Sequence, residues 1–116
     1  MDLEKIKSII SQFSQERDWD QFHSIKNLAM ALSVESSELL EIFQWVSEVD
    51  SNRISENPEM LAKLEDEIAD VFIYLLRISM KSGIYMEKVI HTKLKKNAMK
   101  YPIHLSKGNS KKYNQF

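Results

Sequence analysis

The chain has 116 residues, which fits one compact domain and leaves no room for a second core. A formal net charge of −1 offers no overall attraction to nucleic acid or anionic membranes, and the absence of cysteine excludes disulfides and thiolate chemistry. Only two Gly and two Pro occur, which disfavours a fold of many tight β-turns and favours a few long helices. No apolar run approaches a membrane span and the first turn is charged. We therefore expect a soluble, cytoplasmic protein without a signal peptide or a membrane partner.

The first half of the chain predicts two helices. Asp2 is a good N-cap for the first helix, which is followed by a charged and aromatic connection over residues 16–23. Ser24 is the expected N-cap of the second helix, which the apolar spacing extends to about Ser47. A loop is predicted at residues 50–52.

The second half predicts two more helices. Asn57 followed by a proline indicates the start of a third helix that runs to Lys81, with Gly83 at the position of a left-handed C-terminal cap. A fourth helix is expected over residues 86–100, because Pro102 would stop it. The polar sequence of residues 103–116 predicts irregular structure.

Acidic residues fall where apolar residues are expected on the second and third helices. Glu35 lies on the same helical line as apolar residues seven positions to either side, and Glu38 follows one turn later on that face. On the third helix Glu67 and Asp70 border the apolar stripe, and Tyr74 continues their line. Two helices are thus predicted to direct a pair of carboxylates each toward their packed side.

Four converging carboxylates need cations. Two like charges about 4 Å apart repel by roughly 4 kcal/mol at an effective dielectric near 20. A hard divalent ion relieves this repulsion, and because neither pair contains histidine the residues favour Mg²⁺, with Mn²⁺ as an alternative, over iron or zinc. A single pair of acids on a charged helix usually lies in solvent, which is how we interpret four further acids: Glu41, Glu48, Glu65 and Asp66.

The order and spacing of these residues resemble a known family. Glu35-Ser-Ser-Glu38, then 28 residues, then Glu67-Ile-Ala-Asp70 is similar to the Glu-x-x-Glu…Glu-x-x-Asp signature of the all-α nucleotide pyrophosphohydrolases, the MazG-like superfamily. Residues 17–23, 27–28, 43–45, 70–75 and 101–108 resemble the dCTP pyrophosphatase branch in particular. The departures are small: the family often has Pro where Ile25 stands, and Gly where Val34 and Ser37 stand.

The resemblance implies an all-α, four-helix bundle-type core, assembled as a dimer or as a dimer of dimers. We expect one such domain over residues 1–105 and a polar tail over residues 106–116. The reaction implied is the cleavage of a nucleoside triphosphate between its α- and β-phosphates. Glu35, Glu38, Glu67 and Asp70 are then the metal ligands, and Glu38 is the preferred candidate for the base that activates water.

Substrate contacts are predicted at three groups of residues. The aromatic cluster of Trp19, Phe22 and His23 would stack a base, or alternatively close the end of the bundle. Trp45 is expected in the base pocket or in a subunit interface, and Tyr74 against the sugar or phosphate or in the core. Phosphate and base contacts are predicted at Lys26, Asn27, Lys93, Asn97, Lys100 and Tyr101, although for any single lysine a solvated surface position is the favoured interpretation.

These features together predict a house-cleaning deoxynucleotide pyrophosphohydrolase, with dCTP as the favoured substrate and dATP as an alternative. One rival is phosphoribosyl-ATP pyrophosphohydrolase of the same fold, which the aromatic cluster disfavours. The other is a non-catalytic helical interaction module, in which the acids only set the specificity of helix packing. Nucleic-acid binding is disfavoured because no basic stripe follows any helix.

Overall fold

The computed structural model describes residues 1–116 and confirms the predicted all-α class. Its helices are α1 (Leu3–Glu16), α2 (Ile25–Glu41), α3 (Glu48–Ser51), α4 (Pro58–Ser82), α5 (Met86–Lys100) and α6 (Ile103–Ser106). Short 3₁₀ turns occur at Asp20–Phe22, Ile54–Glu56 and Tyr113–Gln115. No helix has the length and apolar character that crossing a membrane requires.

The predicted helix caps are confirmed. The side chains of Asp2, Ser24 and Asn57 each accept a hydrogen bond from the backbone N–H three residues later, at 3.0 to 3.2 Å. Gly83 ends α4 in the left-handed conformation, with φ of 70°, and its N–H donates to the carbonyl of Ser79. These local signals fix where α1, α2 and α4 begin and where α4 ends.

The predicted end of the second helix at Ser47 is wrong, because α2 ends at Glu41. The chain continues through successive turns in which Phe43 and Val46 donate to the carbonyl three residues earlier, both at 3.0 Å. Ser47 adopts an extended conformation, and its hydroxyl caps α3 by accepting from the N–H of Asp50 at 3.1 Å. The apolar spacing of residues 42–46 therefore continues the helical pattern after the helix has ended.

The last residues are more regular than predicted. The carbonyl of Pro102 accepts from Leu105 and Ser106, at 3.1 and 3.0 Å, and so starts the single turn of α6. Near the end of the chain the ring of Tyr101 lies edge-on to the rings of Tyr113 and Phe116, at 6.3 and 5.9 Å between centroids. Aromatic contacts thus order a segment whose polar composition predicts irregular structure.

The chain divides into two compact units, residues 1–83 and residues 84–116. In the first unit α4 packs against both α2 and α1, and the buried core joins Ile10 of α1, Leu28 of α2 and Leu76 of α4. The second unit contains α5 and α6. The predicted boundary at residue 105 stays a prediction. The packing of α2 on α4 matters most for the site, since it brings Glu35 and Glu38 of α2 close to Glu67 of α4.

Candidate active site

Three of the four predicted ligand carboxylates converge. Oxygen atoms of Glu35 and Glu38, on α2, and of Glu67, on α4, all lie within 4.8 Å of one another. Residues three apart on a helix share a face, so α2 contributes two acids to the surface that packs on α4. We call these three residues the carboxylate cluster.

Two oxygen atoms of the carboxylate cluster are buried without a partner. Oε2 of Glu35 and Oε2 of Glu67 accept no hydrogen bond from any donor of the protein. Burial raises the pKa of Glu35 from its ordinary value of 4.5 to about 7, and interaction with the carboxyl groups of Glu67 and Glu38 adds to this effect. Burial likewise raises the pKa of Glu67, with the charges of Glu38 and Asp70 acting in the same direction. Ionisation of the carboxylate cluster is therefore energetically unfavourable in the free protein, and a bound cation would stabilise the ionised form.

The donor set of the carboxylate cluster fits a hard divalent cation. All of its ligand atoms are carboxylate oxygens, which Mg²⁺ and Mn²⁺ prefer, and two of them have no competing donor. Glu38 is exposed whereas Glu35 and Glu67 are half-buried, so the cluster is open to solvent on the side of Glu38. The three residues could hold a metal ion.

A cavity of about 410 Å³ lies beside the carboxylate cluster and gives it space for a ligand. Glu38 and Glu67 line this cavity together with Glu41, Lys63 and Asp66. The positive charge of Lys63 is therefore placed at the edge of the acidic group. Glu41 and Asp66 are exposed, as their interpretation as solvated acids predicts.

Asp70 is not one of the three converging carboxylates. It lines a second cavity, of about 310 Å³, which we call the aromatic cavity. The walls of the aromatic cavity are formed by Ile9, Ile10, Phe13, Trp19, Ile73, Tyr74, Arg77 and Asp70. Asp70 nevertheless lies close enough to the cluster for its charge to raise the pKa values of Glu35 and Glu67. Its role as a metal ligand stays a prediction, and its position connects the two parts of the site.

A helix-ending motif places Trp19 in the aromatic cavity. After α1 the N–H of Trp19 donates to the carbonyl of Ser14 at 2.9 Å, and the N–H of Asp18 donates to that of Gln15 at 3.1 Å. Asp18 has a φ of 52°, so this is a Schellman motif with an Asp in the left-handed position. The indole then contacts the ring of Phe13 edge-on, with centroids 5.7 Å apart. The motif turns a residue of the connection back onto the helix that precedes it.

The other two members of the predicted aromatic cluster, Phe22 and His23, differ in their position relative to Trp19. The ring of His23 lies edge-on to the indole at 6.4 Å, and burial followed by the charge of Arg77 lowers the pKa of His23. The side chain of Phe22 is 60% exposed and does not line the aromatic cavity. Asn27 donates from its side-chain amide to the carbonyl of Phe22 at 3.0 Å, which ties α2 to the connection, and Lys26 is exposed. Substrate contacts by these residues stay predictions.

The remaining predicted residues lie apart from the aromatic cavity or in the second unit. Trp45 is 90% exposed and does not line the aromatic cavity, so its predicted part in a base pocket or a subunit interface stays a prediction. Lys93, Asn97 and Lys100 are on α5, and Lys100 lies over the ring of Tyr113 at 4.8 Å. Tyr101 follows α5 and contacts the aromatic residues at the end of the chain. The phosphate contacts of this group stay predictions.

Two residues of the aromatic cavity are missing from the sequence prediction. Phe13 reads as an ordinary core position of the first helix, yet it is 40% exposed and contacts Trp19. Arg77 stands between Leu76 and Ile78, three residues after Tyr74 and seven residues after Asp70, so it shares their face of α4. A cation within an apolar stripe, in line with two predicted site residues, is the signal that identifies it.

The fold and the site define an all-helical protein with an oxygen-rich cluster suited to a divalent cation, next to an aromatic cavity. The chain belongs to the MazG-like family, whose family model matches residues 30–116. It is 38% identical over 111 residues to dCTP pyrophosphatase 1 of Rattus norvegicus, across 96% of this chain and 65% of that protein. The human dCTP pyrophosphatase 1 is 35% identical over 113 residues, across 97% of this chain and 66% of the relative. The resemblance to the dCTP pyrophosphatase branch is confirmed.

A solved structure agrees with these similarities. The crystal structure of a pyrophosphatase from Archaeoglobus fulgidus matches with a TM-score of 0.81 and 38% identity, over 88% of this chain and 94% of that chain. The chain spans slightly less than two thirds of the length of the curated relatives, at 65% and 66%.

Proposed function

We propose that this protein is a hydrolase: a Mg²⁺-dependent nucleoside triphosphate pyrophosphohydrolase that converts a deoxynucleotide to its monophosphate and pyrophosphate. The observation that carries this proposal is the convergence of three carboxylates, two of which have a buried oxygen without a partner. The names of the relatives support a nucleotide substrate and favour dCTP. We keep dATP as the alternative substrate. The corresponding cellular role is removal of unwanted nucleotides from the cytoplasmic pool.

In this proposal Glu35, Glu38 and Glu67 hold the metal, and Asp70 completes the ligand set from the side of the aromatic cavity. When bound, Mg²⁺ would neutralise charge on the triphosphate oxygens and acidify the attacking water, and Mn²⁺ could replace it. The cavity of about 410 Å³ beside the cluster offers room for the phosphate chain, with Lys63 at its edge.

Glu38 is the proposed general base, which accepts a proton from the attacking water. The oxygen of a water molecule attacks the α-phosphorus while the bond from that phosphorus to the bridging oxygen breaks, and pyrophosphate leaves with the electron pair. The carboxylate of Glu38 accepts the proton that the water loses. Its exposure to solvent, greater than that of Glu35 or Glu67, supports this role because a base must reach water.

The aromatic cavity is the proposed binding site of the nucleobase. Trp19 offers a flat face for stacking, and Tyr74 can contact the sugar and exclude a 2′-hydroxyl. Asp70 belongs to this cavity and acts electrostatically on the carboxylate cluster, so a nucleotide could place its base and its phosphates in the two adjoining parts of the site.

We further propose a four-helix bundle-type core that is completed in a homodimer or a dimer of dimers. The single chain fully buries only a few apolar side chains and leaves large ones exposed, including Leu40 at 70% and Trp45 at 90%. Light scattering after size exclusion tests this assembly: a monomer at micromolar concentration would contradict it.

Product analysis tests the proposed reaction. Canonical dNTPs and NTPs would be incubated with the protein and Mg²⁺, and the products separated by ion exchange. We expect equal amounts of monophosphate and pyrophosphate from the wild type, and at least about a 100-fold lower rate from Glu38→Gln, as removal of a general base typically causes. Asp70→Asn is expected to reduce the rate as well.

The matched control is Glu65→Gln. Glu65 is an exposed acid of α4, two residues before Glu67, and it lines neither cavity of the site. Its neutralisation should leave turnover within about twofold, because surface changes away from a site have small effects. Release of a nucleoside diphosphate together with inorganic phosphate would contradict the proposal. So would the absence of turnover of any nucleotide by the folded wild type.

A further inference from the structure

Arg77 is a half-buried cation in the wall of the aromatic cavity. It lies on α4 one turn after Tyr74 and two turns after Asp70, so all three share the face that borders this cavity. Its guanidinium donates a hydrogen bond to the hydroxyl of Ser14, a buried residue of α1. This bond fixes the arginine between α1 and α4.

The charge of Arg77 is not paired with a carboxylate. The ion pairs of the structure join Lys7 with Glu4, Arg17 with Glu16, and Arg53 with Glu56, and none includes Arg77. Burial lowers the pKa of Arg77, while Tyr74 and Asp20 act in the opposite direction. A guanidinium has five N–H groups and stays protonated in proteins, so most of its donors remain available after the bond to Ser14. Half-buried donors of this kind favour a ligand that supplies acceptors.

The aromatic cavity, of about 310 Å³, has room for a nucleobase. The proposed function favours a pyrimidine there, because the relatives are dCTP pyrophosphatases by name. Guanidinium groups bind best to two neighbouring acceptors, because two of their N–H bonds run parallel. Among the pyrimidines only cytosine presents two neighbouring acceptors, N3 and O2. Uracil and thymine carry a hydrogen on N3 and would oppose one N–H with another.

We propose that Arg77 is a specificity-determining residue that selects cytosine by donating hydrogen bonds to N3 and O2 of a base stacked on Trp19. This inference rests on the proposed function and narrows it, since it assigns the preference for dCTP to one side chain and disfavours dATP. Arg77 also lines a neighbouring cavity of about 350 Å³ together with Ser14. The bond to Ser14 therefore anchors one N–H group of the guanidinium, and the proposal assigns remaining N–H groups to the aromatic cavity.

Comparison of dCTP with dUTP and dTTP tests the proposal, because these substrates differ only at the base. We expect Arg77→Met to lower kcat/KM for dCTP by about 10- to 100-fold, as loss of a bidentate contact to a base typically does. The kcat/KM values for dUTP and dTTP should change by less than about threefold. Arg77→Lys keeps the charge but loses the paired donors, and we expect it to lose most of the preference for dCTP.

Lys81→Met is the matched control. Lys81 lies one turn after Arg77 on α4 and does not line the aromatic cavity, although it lines the neighbouring cavity of about 350 Å³ with Arg77. It therefore separates loss of a nearby charge from loss of the contact in the aromatic cavity. Its substitution removes the same charge from the same helix, and the ratio of kcat/KM between dCTP and dUTP should not change.

A modified substrate tests the same contact without any variant. In 3-deaza-dCTP a C–H group replaces N3, so one acceptor is lost while O2 is kept. We expect the wild type to hydrolyse it at least about tenfold less efficiently than dCTP, and Arg77→Met to show no further loss, because both changes remove the same interaction.

Three results would overturn the inference. If Arg77→Met lowers kcat/KM equally for all three substrates, Arg77 acts on the sugar, the phosphates or the fold. If the wild type hydrolyses dUTP or dATP at least as well as dCTP, the proposed hydrolase function stands but the selection of cytosine by Arg77 does not. If the folded wild type hydrolyses no nucleotide, both the proposed function and the inference are wrong.

Discussion

The carboxylate cluster and the aromatic cavity are neighbouring parts of one site, but they are built in different ways. The cluster comes from positions inside two long helices, where a spacing of three residues places Glu35 and Glu38 on one face. The aromatic cavity depends on a connection that folds back, since Trp19 reaches it only through the left-handed turn at Asp18. Helical spacing therefore places the carboxylates of the site, and a single left-handed turn places the indole of Trp19 in the aromatic cavity.

This difference predicts how each part responds to change. The carboxylate cluster is electrostatically unfavourable in the free protein and gains from a cation, so its residues should affect metal binding and turnover more than folding. The aromatic cavity is held by apolar and ring contacts, so its residues should affect substrate affinity and selectivity.

The largest effect is expected from Glu67→Gln, which removes the α4 member of the carboxylate cluster. Loss even of groups that support metal ligands typically lowers metal affinity about 10- to 100-fold, so loss of a ligand should lower turnover at millimolar Mg²⁺ at least about 100-fold. Raising the Mg²⁺ concentration should restore part of the rate. Turnover that is low at every Mg²⁺ concentration, together with a lower melting temperature, would instead indicate damage to the fold.

A smaller effect is expected in the aromatic cavity. Trp19→Ala should lower kcat/KM for dCTP by about 5- to 150-fold, because stacking of a base on an aromatic side chain contributes about 1–3 kcal/mol. Phe22→Ala should cause a smaller loss, since Phe22 is mostly exposed and does not line the cavity. Steady-state kinetics on the two variants checks this, and equal losses would show that the whole connection contacts the substrate.

The stability of the metal-free protein should fall as the pH rises from about 5 to 7. The pKa of Glu35 is about 7 in the folded protein, compared with an ordinary value of 4.5. Between these two pH values the folded state therefore binds more protons than the unfolded state. Deprotonation in this window therefore favours the unfolded state. Thermal unfolding in EDTA at several pH values checks the direction, and Glu35→Gln should flatten the slope while Glu65→Gln should not. A melting temperature that rises across this window in the wild type would contradict the account.

The smallest effect concerns the turn that positions Trp19. Asp18→Gly should raise the free energy of unfolding by about 0.5–1 kcal/mol, because glycine adopts a φ of 52° without the strain of a side chain. Glu16→Gly, in the last turn of α1, should lower the free energy of unfolding by a similar amount, since glycine is unfavourable inside a helix. Urea unfolding measures both, and a loss of stability in Asp18→Gly would show that the side chain of Asp18 is needed.

Regular helices made much of the fold and the cluster predictable. The N-caps Asp2, Ser24 and Asn57 each bond to a backbone N–H only three residues later, so the starts of α1, α2 and α4 follow from the local sequence. The convergence of Glu35, Glu38 and Glu67 follows from helical spacing once α2 packs on α4.

What the sequence did not predict depends on rotation and on turns. Asp70 stands three residues after Glu67, just as Glu38 stands three residues after Glu35, yet Asp70 lines the aromatic cavity and is not among the three converging acids. The rotation of α4 against α2 decides this, and the spacing alone does not give that rotation. The end of α2 at Glu41 depends on the competing cap at Ser47, and the apolar period hides it. The hydrogen bond between Arg77 and Ser14 joins residues 63 positions apart in the chain, so no local pattern predicts it.

The most direct test of the account is calorimetric titration of Mg²⁺ into the metal-free protein, for the wild type, Glu35→Gln, Glu67→Gln and Glu65→Gln, with turnover of dCTP measured on the same samples. We predict that the wild type and Glu65→Gln bind Mg²⁺ and release pyrophosphate, and that both properties fall together in Glu35→Gln and Glu67→Gln. Hydrolysis of dCTP by all four proteins with unchanged Mg²⁺ affinity would show that the carboxylate cluster is not the metal site.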